Sequence, residues 1–398
     1  MADVTLRTGA LLPLEADAHE ASAEPPTLDR ERFGQVVLVL QGGGALGAYQ
    51  GGVFQALAEA GIAPDWVIGT SIGAINAALI AGNLPERRLE RLTEFWSDIQ
   101  QTGLAGWMGA APLVAAALGA AATVVGGLPG FFEPNPSAWL GANWSLGPEA
   151  AGYYSCAPLL RTLERLVDVD ALNAGDMRLT VGAANVQTGA MRYFDSRQGR
   201  LSLVHVMASS ALPPAFPAVR IDGELYWDGG VLSNTPVEAV FDDNPRRSGL
   251  VFSVHVWNPQ GDEPDTLAKV VSREKDLRYA SRTAAHIERQ RQIHKLRHVI
   301  AQLERLLPDN VRARPETRAL TTYGCVTRMH VVRLLAPPLY GETHSKDIDF
   351  TASGIRQRWQ SGYLDTVHVL QQAPWTGEFD PLEGFVLHEA ASDKAATA

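Results

Sequence analysis

Between residues 35 and 256 short apolar runs alternate with segments of helical periodicity. Val36-Val37-Leu38-Val39-Leu40 and Trp66-Val67-Ile68 are unbroken apolar runs, the pattern of strands buried on both faces. Between them Tyr49, Val53, Phe54 and Leu57 recur at helical spacing, which predicts a helix ending at Gly61 with Pro64 just beyond. Ala74–Ala81, apolar apart from Asn76, predicts a buried helix. Pro158–Val167 predicts a helix with Leu159, Leu160, Leu163 and Leu166 on one side. Leu179–Asn185 and Met191–Asp195 predict strands with Thr188-Gly189 at the turn. Met207–Leu212 predicts a buried helix stopped by Pro213-Pro214. Leu225-Tyr226-Trp227, entered through Asp222-Gly223, and Leu250–Val256 complete the strands, with the latter expected to be the last of the main sheet. Strands alternating with helices predict a three-layer α/β/α domain with a mostly parallel sheet over residues 33–256.

A polar, proline-containing stretch at 257–266 reads as a linker, so residues 257–388 are expected to form a smaller C-terminal α/β extension. In it Ile293, Leu296, Ile300, Leu303 and Leu307 predict an amphipathic helix. Met329–Leu335 predicts a strand, and Ser353–Gln372, with Ile355, Trp359, Tyr363, Val367 and Leu370, a second helix. Residues 1–32 and 389–398 read as disordered tails, and the first lacks the basic-then-apolar order of a signal peptide. Ile99–Pro148 carries one charge, Glu133. Its Ala110–Phe132 portion has the length of a membrane span. It is nonetheless alanine-rich, interrupted by Pro112, Gly119, Gly126, Gly127 and Pro129, and without a basic flank. The expectation is therefore an insert at 99–148 that is a buried core piece, or else a mobile lid or membrane-facing entry for acyl chains that would give peripheral membrane contact, with Trp107, Trp139 and Trp144 suited to either.

Charge narrows the partners. The 398 residues carry a net charge of −10, which gives no global attraction to nucleic acid. Residues 273–318 run against that balance, with twelve Lys/Arg and six Asp/Glu, so the basic helix 273–307 is either a solvated helix docked on its own domain or a contact for an anionic membrane or a partner helix. Two cysteines, Cys156 and Cys325, make no disulfide framework and point to a reducing compartment. No metal-ligand spacing is present, and neither a metal nor a cofactor is expected.

Three motifs carry chemistry. Gly69-Thr70-Ser71-Ile72-Gly73 fits the G-x-S-x-G elbow between a strand and a helix, which holds a serine hydroxyl clear of the backbone. Gln41-Gly42-Gly43-Gly44-Ala45-Leu46-Gly47 follows the first strand. Consecutive glycines before a helix leave N–H groups free in a positive potential, a nest for an oxyanion. Asp228-Gly229-Gly230 ends a strand and places a carboxylate on the same sheet rim, with Asn234 beyond it either orienting the loop or in a plain Asx-turn. A serine needs a positioned base, and burial would raise the basicity of an aspartate.

Together these motifs resemble the patatin-like phospholipase family, of the bacterial type with a C-terminal accessory region. The resemblance implies a Ser–Asp dyad without histidine: Ser71 as nucleophile, Asp228 as general base. Gly42, Gly43 and Gly44, with the N–H of Ile72, would hold the oxyanion. Gly47, Gly69, Gly73, Gly229 and Gly230 shape the motifs. It further implies a serine acyl hydrolase acting on a phospholipid or another acyl-ester lipid, in the cytoplasm and peripheral at the inner face of the membrane, with no nucleic-acid partner. Leu46 stands where the family commonly has Arg or Lys.

Competing readings remain open at this stage. The same acyl-enzyme would serve an acyltransferase. Leu46 fits a catalytically weak lipid-binding or scaffold protein. Gly42-x-Gly44-x-x-Gly47 also satisfies a dinucleotide fingerprint, with Asp65 as ribose ligand. A Ser-His-Asp hydrolase would draw its histidine from His255, His330, His344 or His388.

Overall fold

A computed structural model of the chain describes residues 30–101, 123–339, 342–380 and 383–389. Most of both segments read as tails, and residues 102–122 of the nearly uncharged stretch, Trp107 included, lie outside these residues. Strands β1 (Gln35–Leu40), β2 (Trp66–Gly69), β3 (Arg178–Asn185), β4 (Met191–Asp195), β5 (Val219–Ile221), β6 (Glu224–Asp228), β7 (Gly249–His255), β8 (Met329–Leu335) and β9 (Phe385–Glu389) form one nine-stranded sheet among the described residues. Their order is β9-β8-β7-β1-β2-β3-β6-β5, with β4 paired to β3. From β9 to β3 every pair along this order is parallel, and β4, β5 and β6 are antiparallel. Val36 to Leu40 are wholly buried at the centre, as an apolar run covered on both faces must be.

Helices α1 (Ala48–Glu59), α2 (Ile72–Ala81), α3 (Arg88–Asp98), α4 (Ala157–Leu166), α5 (Leu203–Ser209), α6 (Leu267–Leu306) and α7 (Ala352–Gln372) cover the sheet. α2 is buried on all sides, which accounts for its lack of a polar stripe. Among the described residues no helix is long and apolar enough to cross a membrane.

The C-terminal region differs from expectation in two ways. β7 is not the last strand of the main sheet: β8 pairs with it in parallel, Met329 opposite Gly249 through Leu335 opposite His255, and β9 pairs with β8. Residues 257–389 therefore complete the central sheet. Strand pairing across more than 70 residues leaves no local signature, so a linker-like stretch before α6 reads falsely as a boundary. Second, α6 does not bury the predicted stripe. Ala280, Ile287, His294 and Ala301, seven residues apart, are buried with His298, while Leu296 and Leu303 are exposed. A buried face of alanine and histidine escapes an apolar count.

α7 lies across α1 at backbone contact. A Cβ on Gly362 would fall 2.0 Å from the Tyr49 carbonyl oxygen, and one on Gly52 1.8 Å from that of Trp359. Tyr49 Oη donates to Asp365 Oδ2 at 2.8 Å, Trp359 Nε1 to Gln55 Oε1 at 2.7 Å and Tyr363 Oη to Glu59 Oε2 at 2.7 Å. Since the clashing atoms are backbone, neither helix can yield by a rotamer change. Gly362→Ala is expected to destabilise the fold by roughly 2–3 kcal/mol or more in urea unfolding. An unchanged midpoint would mean that the helices are not in backbone contact.

Candidate active site

The elbow is built as its motif requires. β2 ends at Gly69, α2 begins at Ile72, and Ser71 between them has φ 58° and ψ −130°. A non-glycine residue in that region is strained and must be held by its surroundings. Ser71 N–H donates to the Ser209 carbonyl at 3.1 Å and lies 3.2 Å from Ser209 Oγ. Ser210 Oγ donates to the Ser71 carbonyl at 3.2 Å, and Ser209 Oγ to the Gly182 carbonyl at 2.6 Å. The end of α5 thus grips the turn from both sides and ties it to β3. Gly69 and Gly73 pass so closely that a Cβ on Gly69 would meet the Gly73 carbonyl at 2.2 Å.

Asp228 is the last residue of β6, opposite Ala183 of β3, and only 1% exposed. Its Oδ1 accepts from Gly230 N–H at 2.7 Å. The Ser71 side chain lies close enough to act on the carboxylate's ionisation, and Oδ2 has no hydrogen-bond partner among the described residues. Burial pushes the Asp228 carboxyl up to about 7, against the smaller, opposing effects of Ser71 and the Gly230 amide. A hydroxyl beside a carboxylate that ionises near neutrality can pass its proton to it.

The glycine loop runs past the serine: a Cβ on Gly42 would fall 2.9 Å from Ser71 Cβ. Its donors differ from expectation. The Gly42 N–H is already committed to the Asn234 carbonyl at 3.1 Å. Among the described residues the N–H groups of Gly43, Gly44 and Ile72 donate to nothing. Three donors, not four, are therefore free for an oxyanion. The Gly42 carbonyl accepts from Asn234 Nδ2 at 3.0 Å and Trp257 Nε1 at 2.8 Å. Of the two readings of Asn234, the loop-orienting one matches this bond. Gln41 Oε1 accepts from Val256 and Trp257 N–H at 2.6 and 3.0 Å, anchoring the loop's start. Gly47 accepts from Asn76 Nδ2 at 3.0 Å through its carbonyl.

Helix α6 also reaches the site. The Tyr279 ring lies on Trp257, 4.9 Å between centroids, and the Tyr279 hydroxyl is raised in pKa by burial and by the Asp228 charge. Sequence reading had no means of finding Tyr279, which sits on a helix read as a surface element.

Two of the competing readings, the dinucleotide site and the Ser-His-Asp triad, lose support here. Asp65 accepts from Val36 N–H at 2.7 Å, at the far end of β1 from the glycine loop, so it cannot serve a dinucleotide there. His255 contacts Ser253 Oγ at 2.9 Å, and burial takes its imidazole down to about 3. His330 and His388 contact each other at 3.0 Å. The His344 carbonyl accepts from Lys275 at 3.0 Å. Among the described residues no hydrogen bond joins a histidine to Ser71 or Asp228, and no group of three or more His, Cys, Asp or Glu could hold a metal ion.

A family model for patatin-like phospholipases matches residues 38–241, half of the chain and the part that bears the elbow, the glycine loop and Asp228. The chain belongs to the patatin-like phospholipase family, a family of carboxylic ester hydrolases. A second model, described as patatin phospholipase, matches residues 277–382. Over 73 residues the chain is 49% identical to the lysophospholipase nte1 of Aspergillus terreus, which is 18% of this chain and 4% of that protein. Over 63 residues it is 43% identical to the patatin-like phospholipase domain-containing protein 7 of Rattus norvegicus, 16% and 5% of the two. The matched segments thus span 5% or less of these curated relatives. Among solved structures, VipD from Legionella pneumophila aligns over 85% of this chain and 67% of its own, at 16% identity and a TM-score of 0.36.

In this patatin-like chain the buried carboxylate carries a stability consequence. An unfolded aspartate ionises near about 3.9, and Asp228 folded near 7. The folded state holds the proton more tightly, so ionisation costs stability increasingly as pH rises between those values, and fully above the upper one. Asp228→Asn removes that cost. The variant is expected to be more stable than the wild-type protein by on the order of 2–4 kcal/mol at pH 8 in urea unfolding, with the gap closing toward pH 4. A gap independent of pH would contradict the buried, protonation-linked carboxylate.

Proposed function

We propose that this protein is a serine lipid acyl hydrolase working through Ser71 and Asp228. Ser71 Oγ attacks the ester carbonyl while Asp228 takes its proton. The N–H groups of Gly43, Gly44 and Ile72 receive the negative charge that develops on the carbonyl oxygen. Collapse breaks the ester C–O bond, Asp228 returns the proton to the departing alcohol, and the acyl group stays on Ser71. Water, deprotonated by Asp228, then releases the fatty acid and restores the hydroxyl. The observation that carries this reading is the carboxylate of Asp228, buried and raised to about 7, against the hydroxyl of a strained elbow. No histidine is needed, because burial gives the aspartate the basicity that an imidazole supplies in a triad.

The substrate we assign is a phospholipid or lysophospholipid. The printed names of the two relatives, a lysophospholipase and a phospholipase-domain protein, support that class. We place its approach at the catalytic rim. Val124, Val125, Leu267, Val270 and Val271 are exposed, and Val124 and Val125 border a groove of about 820 Å³ that Lys269 and Arg273 line together with Asp262, Glu263, Asp276 and Glu342. Exposed aliphatic side chains at this rim suit contact with a lipid surface. The exposed Leu296 and Leu303 of the basic helix lie toward the opposite rim, where His294 and His298 meet the Thr327 carbonyl before β8, and serve this approach less well. A cytoplasmic site of action, peripheral at the inner membrane face, agrees with two free cysteines.

Fatty-acid release from lysophosphatidylcholine tests the reading. Ser71→Ala and Asp228→Asn are each expected to lower kcat about 10³-fold or more, while His255→Ala, if folded, keeps turnover within about tenfold of the wild type. The base acts only when ionised, so kcat/KM should fall tenfold per pH unit below about 7. Turnover by Asp228→Asn near the wild-type value would overturn the dyad.

A further inference from the structure

The C-terminal region lays a short strap on the glycine loop. Lys346–Ile348 form a single 3₁₀ turn, and a Cβ on Gly44, at φ 57°, would fall 2.3 Å from the Asp347 carbonyl oxygen. Two ion pairs cross between this turn and α6. Lys275 Nζ reaches both carboxylate oxygens of Asp347, at 2.7 and 2.9 Å. Lys346 Nζ lies 2.7 Å from Asp276 Oδ1. The dipeptide Lys-Asp occurs at 275–276 and again at 346–347, and each lysine takes the other's aspartate. From α7, Arg358 Nη2 donates to the Lys346 carbonyl at 3.2 Å. The Lys346 ammonium also sits 5.6 Å from the centroid of Trp257, whose indole N–H holds the Gly42 carbonyl.

Three successive glycines have the widest backbone freedom of any tripeptide, whereas oxyanion donors work only when fixed beforehand. Gly42 is held by Asn234 and Trp257. The N–H groups of Gly43 and Gly44 make no hydrogen bond among the described residues; the Gly43 carbonyl accepts from Leu46 N–H at 3.2 Å and Gly44 opens the 3₁₀ turn Gly44–Gly47, so the Asp347 carbonyl adds a restraint that abuts Gly44 from the C-terminal region. Leu46, where the family pattern carries a cation, lines a cavity of about 290 Å³ together with Lys346 and Arg358. The cations beside this loop thus come from the C-terminal region, balanced there by Asp276 and Glu342.

We propose that the crossed pairs Lys275–Asp347 and Lys346–Asp276 are positioning pairs that press residues 346–347 onto Gly44 and so set the free N–H groups of the glycine loop. Their effect on turnover rests on the acyl hydrolase reading. Their effect on the loop does not. The experiment therefore has two arms on the full chain: amide hydrogen–deuterium exchange of the 42–47 segment, and kcat and KM on lysophosphatidylcholine per folded protein. The variants are Lys275→Glu, Asp347→Lys, the double charge swap, and the milder Lys275→Gln, which keeps the test available if a reversal unfolds the chain. The single changes are expected to speed exchange of the loop amides about fivefold and to lower kcat about tenfold with KM within twofold, and the double swap to recover both. Unchanged loop exchange in the single variants, or no recovery in the swap, would overturn the proposal. Faster loop exchange with kcat per folded protein unchanged would overturn it too, because the pairs would then brace the chain without serving the site. A wild-type protein that releases no fatty acid would refute the acyl hydrolase reading alone, and the exchange arm would still decide the clamp.

Discussion

A single serine held in the left-handed region of backbone space organises the catalytic rim. At φ 58° Ser71 is an unfavourable conformation for a residue with a Cβ, and nothing local pays for it. The compensation comes from Ser209 and Ser210 at the end of α5, which bond its N–H and its carbonyl, and from a glycine pair that lets β2 turn into α2 without a clash. β1 and β3 flank β2 in the parallel sheet and bring the glycine loop and Gly182 to the same rim. β1, β2 and β3 beneath it are buried along nearly their whole length, which holds the strained turn in place.

The second constraint is dielectric. Asp228 is enclosed at the end of β6 with one short bond from Gly230 and the Ser71 hydroxyl beside it. Full solvation would leave it a carboxylate too weak to accept a proton from an alcohol near neutral pH. Enclosure raises its basicity and at the same time lowers the stability of the ionised fold. The covering elements do both jobs: Tyr279 from α6 and Trp257 after β7 close the site over the glycine loop, and Asn234 and Gln41 fix the loop's first carbonyl and amide groups.

Much of this was legible in the chain because its signals are local. Val36–Leu40 and Trp66–Ile68 are apolar runs that only a doubly covered strand tolerates, and Ser71, Asp228 and the glycines announce themselves by short motifs at strand ends. What escaped reading is long-range or chemically mute. β8 joins β7 across more than 70 residues and β9 joins β8 across about 50, so this region seemed a separate extension. α6 buries His294 and His298 where a hydropathy count looks for leucine. Gly42 seemed a free donor because nothing near it in sequence reveals that Asn234, nearly two hundred residues away, takes its N–H. Ser209 and Ser210 read as part of an ordinary buried helix.

The central claim is that the hydroxyl at position 71 is activated by the carboxylate at position 228. Reaction with a fluorophosphonate, followed by intact-protein mass and peptide mapping, tests it directly. The account predicts one adduct per chain, on Ser71, formed at a rate that rises with pH through a midpoint near 7 and is nearly abolished in Asp228→Asn. An adduct on another residue, or labelling of the Asp228→Asn protein at the wild-type rate, would contradict it.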